Sequence, residues 1–94
     1  MFLENLENSD YYKSSNILCS TYNENDNVLY ITFTSGGIYS YDDVPKNVYE
    51  EFRDCESQGK YFLTNIKNNH KALLTKSLLK EQVLAIKTFI KNYK

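Results

Sequence analysis

His70, Cys19, Cys55 and the adjacent pairs Asp42-Asp43 and Glu50-Glu51 are the side chains of this chain best suited to acid–base, nucleophilic or metal chemistry. Their spacing argues against each use. A general base needs an oriented partner, and His70 stands in the polar break NIKNNHK with no obvious one. Adjacent carboxylates point to opposite faces on a strand and diverge on a helix, so neither pair makes an acid/base dyad. Cys19 and Cys55 are far apart, with no zinc or redox spacing, and read as two reduced thiols in or near a core. No His, Cys or carboxylate cluster has metal-ligand spacing. Gly36-Gly37 matches neither glycine-rich nucleotide fingerprint and reads as a turn. The sequence therefore predicts a protein without catalytic residues, metal or cofactor.

Binding chemistry is better represented. The chain carries nine tyrosines and five phenylalanines, and its net charge of −1 hides a segregation. Residues 1–58 hold three basic and eleven acidic side chains, whereas residues 59–94 hold eight lysines and one glutamate. A basic end of that kind suits an anionic partner, or packs beside its own acidic body. Lys60, Lys67, Lys76, Lys80, Lys87 and Lys91 are the candidate phosphate contacts. Exposed aromatic rings next to such groups stack on unpaired bases. Tyr30 and Tyr61 are the candidates for exposure, while Tyr39 and Tyr41 fit a core better.

These residues need elements to carry them. The chain has 94 residues, which is one domain. Residues 1–13 read as a polar lead leaning to a short helix through Phe2, Leu3 and Leu6. NILCSTY, 16–22, reads as a strand, and NENDN, 23–27, as a turn. VLYITFT, 28–34, alternates, with Leu29, Ile31 and Phe33 on one face. A three-residue loop Ser35-Gly36-Gly37 would bring IYSYDDV back with Tyr39 opposite Phe33 and Tyr41 opposite Ile31. A two-residue loop would place both tyrosines on the other face, and the first is preferred. Pro45 opens a helix carrying Val48, Phe52 and Cys55, and Gly59 closes it. Lys60–Ile66 reads as a strand or extended arm.

From Leu73 to Tyr93 the absence of Gly and Pro predicts one long helix. On it Leu78, Val83, Ile86, Phe89, Ile90 and Tyr93, with Leu79, share an apolar arc of roughly 140°. The lysines of that helix would share a neighbouring arc of roughly 60°. Such a stripe serves as a track for phosphates or as a solubilising edge. The predicted fold is α+β, a three-stranded antiparallel meander packed against helices. It divides into a lead (1–13), a central domain (14–68) and a basic amphipathic C-terminal helix (69–94).

SSNI (14–17), Tyr22, LYITF (29–33), SGGIYSYDDVP (35–45), VYEEF (48–52) and SQGKYFLTNIK (57–67) occur in an order and spacing that resembles the KTSC domain. That family is named for the C-terminal extension of some lysyl-tRNA synthetases and also occurs as small stand-alone proteins. Its hallmarks map here onto Gly36, Tyr39, Tyr41, Pro45 and Gly59. The resemblance covers Ser14 to Lys67 and implies no catalytic residues. RNA binding is what the synthetase association suggests. The long helix lies outside the resemblance.

The expected function is a small non-catalytic binding module for RNA or single-stranded nucleic acid. The alternative is a protein-interaction module, or an inhibitor of a host protein carried by a phage or mobile element, acting through the C-terminal helix or the acidic hairpin face. That helix could equally meet a second copy. The bias toward Asn, Lys, Ile and Tyr fits an AT-rich genome. No apolar run reaches membrane-spanning length. The start MFLENLENSD has acids where a secretory signal needs bases, so the expected location is cytoplasmic.

Overall fold

Alternation along Val28–Phe33 sets the plan of the molecule. Leu29 and Ile31 are buried on one side of that strand and Thr32 on the other, so the sheet must be covered on both faces. The computed structural model describes residues 9–92. It contains strands β1 (Asp10–Tyr11), β2 (Ile17–Asn23), β3 (Val28–Phe33), β4 (Gly37–Tyr41) and β5 (Ala72–Ser77). They form one antiparallel sheet in the order β1-β2-β3-β4-β5. Helix α1 spans Lys46–Asp54, α2 spans Gln58–Tyr61 and continues as a π-turn over Phe62–Ile66, and α3 spans Lys80–Lys91. The class is α+β. The expected meander is β2–β4, extended by one strand at each edge.

Two cores follow from the two faces. Ile17, Leu29, Ile31 and Tyr41 pack with Phe52 of α1 and Phe62 and Ile66 of the π-turn. Leu18, Cys19 and Ile38 pack with Leu78 and with Val83, Ile86 and Ile90 of α3. An irregularity in the β2–β3 register falls between Ile17 and Cys19, which pair with Phe33 and Thr32. The extra residue lets Ile17 join the first core while both Leu18 and Cys19 join the second.

The β3–β4 hairpin differs from expectation by one position. Ile31 pairs with Tyr39 and Leu29 with Tyr41, so the loop is Thr34-Ser35-Gly36. The Gly36 N–H donates to the Phe33 carbonyl at 2.9 Å, and Gly36, not Gly37, takes the positive φ of 103°. Moving a three-residue loop back by one position shifts the pairing by two. Tyr39 and Tyr41 therefore stay on the expected face.

Three further segments differ from the sequence expectation. Phe2, Leu3 and Leu6, which suggested a helical lead, lie outside the described residues, and at the end of that lead Asp10–Tyr11 is a strand paired with Ser20 and Cys19. Gly59 does not close α1, which ends at Asp54 before an extended Cys55. Instead Ser57 caps α2 by accepting the Lys60 N–H at 3.3 Å, and Gly59 lies inside that helix. Lys60–Ile66 is helical, not extended, because Phe62 and Ile66 both turn into the first core four residues apart.

The long helix from Leu73 to Tyr93 is divided. Ala72–Ser77 pairs with the open edge of β4, and only Lys80–Lys91 is α-helical. Two backbone groups fix the break. The Leu78 N–H donates to the Gly36 carbonyl at 2.7 Å, and the Leu79 N–H donates to Gln82 Oε1 at 2.9 Å, which caps α3. All six residues of β5 are exposed, and the register slips where the Thr75 hydroxyl donates to the Ile38 carbonyl at 2.8 Å. A bulge and a lysine at an edge strand hinder pairing with other chains. Among the described residues no helix is long and apolar enough to cross a membrane.

Candidate binding groove

Helices α1 and α2 cover only part of their sheet face. Beyond them a groove of about 620 Å³ opens between β2–β5 and the π-turn. Four rings form its floor in an edge-to-face chain. Tyr41 meets Phe62 at 5.4 Å between centroids, Phe62 meets Phe33 at 5.3 Å, and Phe33 meets Tyr39 at 5.6 Å. Such contacts hold rings in fixed planes. Tyr41 and Phe62 are buried, whereas Phe33 and Tyr39 are half-exposed. Leu63, 52% exposed, forms one wall, and Lys67 is the one charged residue on the lining.

Local chemistry explains why these side chains converge. Tyr39 and Tyr41 are two apart on β4 and share a face. The Tyr39 ring lies over Gly37, where a Cβ would stand 3.0 Å from Tyr39 Cε1. Phe62 and Leu63 belong to the π-turn, which brings the Lys67 N–H to the Phe62 carbonyl at 2.8 Å. π-turns recur at functional sites because they re-aim side chains. Burial, with a smaller effect from Tyr39, pushes the Tyr41 phenol up to about 12.

Of the family-motif residues, Tyr39, Tyr41 and Gly59 line the groove. Gly36 makes the turn, and Pro45 precedes α1, its carbonyl accepting from the N–H groups of Val48 and Tyr49. The basic and aromatic candidates are dispersed. Lys67 is on the groove, and Lys60 is exposed on α2. Lys76 is on β5, paired with Ile38, and so leaves the helical stripe. Lys80, Lys87 and Lys91 remain on α3, within roughly 40° of one another. Tyr30 is half-buried and alternates with Ile31, which places it on the face away from the groove. Tyr61 is half-buried too, and its hydroxyl donates to Glu51 Oε1 at 2.8 Å. His70 Nδ1 lies 3.1 Å from the Asp42 carbonyl oxygen. Among the described residues no three His, Cys, Asp or Glu side chains gather as a metal site would need.

Phe33, Phe62, Leu63 and Ala72 of the lining were not among the sequence candidates. Phe33 could have been found, since it shares a face with Tyr39. Phe62 and Ala72 could not, because both lay in segments given the wrong secondary structure.

No curated protein matches this chain. Among solved structures, the crystal structure of a KTSC domain protein from Yersinia pestis superposes with a TM-score of 0.70 and 28% sequence identity, covering 72% of this chain and 96% of that one. The family model of the KTSC domain matches residues 13–70, the span that supplies every groove residue except Ala72. Sequence match and superposition agree, and the chain belongs to the KTSC domain family.

Proposed function

We propose that this protein is a small non-catalytic binding module that takes an unpaired base of single-stranded nucleic acid, RNA foremost, into the aromatic groove. The observation that carries the reading is the half-exposed pair Phe33 and Tyr39 beside Lys67 on one lining. Stacking on a fixed ring is worth about 1–3 kcal/mol per base, and a neighbouring ammonium adds a phosphate contact. This reading moves the site away from the expected helix stripe. Helix α3 packs Val83, Ile86 and Ile90 on its own sheet, so that arc is not free for a protein partner or second copy.

Fluorescence anisotropy with a labelled single-stranded RNA tests the reading. Tyr39→Ala should weaken binding by the worth of one stacked base. Lys67→Gln should reduce the log–log salt slope by about 0.7. Absence of binding at low salt, or binding indifferent to both changes, would overturn the groove as a nucleic-acid site. A protein-interaction role would then take precedence.

A further inference from the structure

A second cavity, about 280 Å³, lies where the loop before β2 meets α3. Lys13, Ser14, Ser15, Thr34 and Lys87 line it together with buried Leu18 and Ile90, and among the described residues no carboxylate does. Thr34, in the β3–β4 turn, lines both this cavity and the aromatic groove and is thus a residue common to both sites.

The lining is rich in cationic and hydroxyl groups. Lys13 and Lys87 are exposed, and among the described residues neither forms an ion pair. Ser14 Oγ accepts from the N–H groups of Asn16 at 3.2 Å and Ile17 at 3.3 Å, so its own proton remains to be donated. Among the described residues the N–H groups of Lys13, Ser14 and Ser15 make no backbone hydrogen bond. The Thr34 hydroxyl is committed to the Ser15 carbonyl at 3.2 Å and holds the loop against the hairpin. Two ammonium-bearing side chains from separate elements and the Ser14 hydroxyl share this lining, a set that suits an anionic oxygen group. Lysine binds phosphate as a point charge and needs no fork geometry.

We infer that this cavity binds a phosphoryl group. Resting on the reading proposed above, the group is a backbone phosphate of the strand whose base occupies the groove. Lys87 lies beyond the span matched to the family, so the subsite depends on this chain's own C-terminal helix.

The test is a 15N-correlation NMR titration of the full chain in three arms: inorganic phosphate, a short single-stranded RNA, and sodium chloride at matched ionic strength. Phosphate should shift the amides of residues 13–15 and Thr34, and chloride should not. The Lys13→Gln/Lys87→Gln double variant should abolish those shifts while keeping a dispersed, folded spectrum, and Lys60→Gln should leave them intact. RNA should shift the same amides together with those of Phe33 and Tyr39. Shifts at residues 13–15 from phosphate without groove shifts from RNA would reject the groove reading and leave a site for free phosphoryl groups. Absence of phosphate shifts, equal shifts from chloride, or shifts surviving the double variant would overturn the subsite.

Discussion

The carbonyl of Leu78 stands 2.9 Å from the point where a Cβ on Gly36 would be, while the Leu78 N–H donates to the Gly36 carbonyl at 2.7 Å. One glycine thus shapes the β3–β4 turn and seats the junction between β5 and α3. A side chain at Gly36 would meet backbone and would also sit at a φ of 103°. Gly36→Ala should therefore cost about 1–3 kcal/mol. Gly37→Ala should cost less, because its new Cβ would meet the half-exposed Tyr39 ring, which can move. Urea midpoints of the two variants check the order, and equal midpoints would reject it.

How much of this was legible in the sequence depended on what each segment pairs with. The face shared by Leu29, Ile31, Tyr39 and Tyr41 was readable because strand alternation is local and survives a hairpin shift of two. The identity of β5 was not. Ala72–Ser77 has no alternation that its own surroundings enforce, since both its faces are exposed. What makes it a strand is the open edge of β4, more than thirty residues earlier in the chain. The same limit hid the groove. Phe62 comes to Phe33 and Tyr41 only through the π-turn, and no short sequence pattern announces one. The lysine stripe failed with the helix, at Lys76, once the chain turned at Leu78 and Leu79.

Phe52 and Phe33 both lie on apolar faces read from the sequence, but their surroundings differ. Phe52 has no exposed surface, whereas Phe33 is half-buried on the groove. Phe52→Ala should destabilise by about 3–5 kcal/mol, the usual range for a buried aromatic. Phe33→Ala should fall below that range, because water already reaches one side of the ring. Chemical denaturation separates the two. A larger loss at Phe33 would mean that the groove is closed in solution.

Helix α3 is part of the fold and not an appendage, although the family match ends at residue 70. Ile86 is 1% exposed against Leu18, Cys19 and Ile38, while Leu84 on the same helix is 54% exposed. Ile86→Ala should cost about 2–5 kcal/mol, and Leu84→Ala should stay within about 0.5 kcal/mol. A thermal melt in which the Ile86 variant matched the parent would detach α3 from the second core.

Several tyrosines set the alkaline limit of stability. Burial first, then the hydrogen bond to Asp10, pushes Tyr49 up to about 12. Burial first, then Glu51, does the same for Tyr61, and burial does it for Tyr41. Burial raises Tyr12 further still. Each folded value lies above the ordinary 10.0 of an unfolded tyrosine. The neutral phenol is thus favoured by the fold, and its contribution is complete below pH 10. Above that the unfolded chain loses phenolic protons first, so stability should fall as pH rises from about 10 through about 12. Melting temperatures should be level just below pH 10 and drop above it, with the tyrosinate absorbance band growing as the fold is lost. A melting temperature that rose through this window would reverse the sign.

The two cysteines should separate cleanly toward a thiol reagent. Cys19 is fully buried in the second core, and burial pushes its thiol up to about 11 against a smaller opposing effect of Thr32. Cys55 is half-buried just after α1, where its Sγ donates to the Phe52 carbonyl at 3.1 Å. Burial raises it as well, but part of its surface is open to solvent. The thiolate must be reached by the reagent, so access favours Cys55. In the native protein one equivalent should react at Cys55, while Cys19 should wait for unfolding of the β2–α3 core. Ile86→Ala should then speed labelling of Cys19 in proportion to its loss of stability and leave Cys55 unchanged. Mass spectrometry of partly labelled protein distinguishes the sites. Equal labelling of both cysteines in the native state would mean that α3 does not cover Cys19.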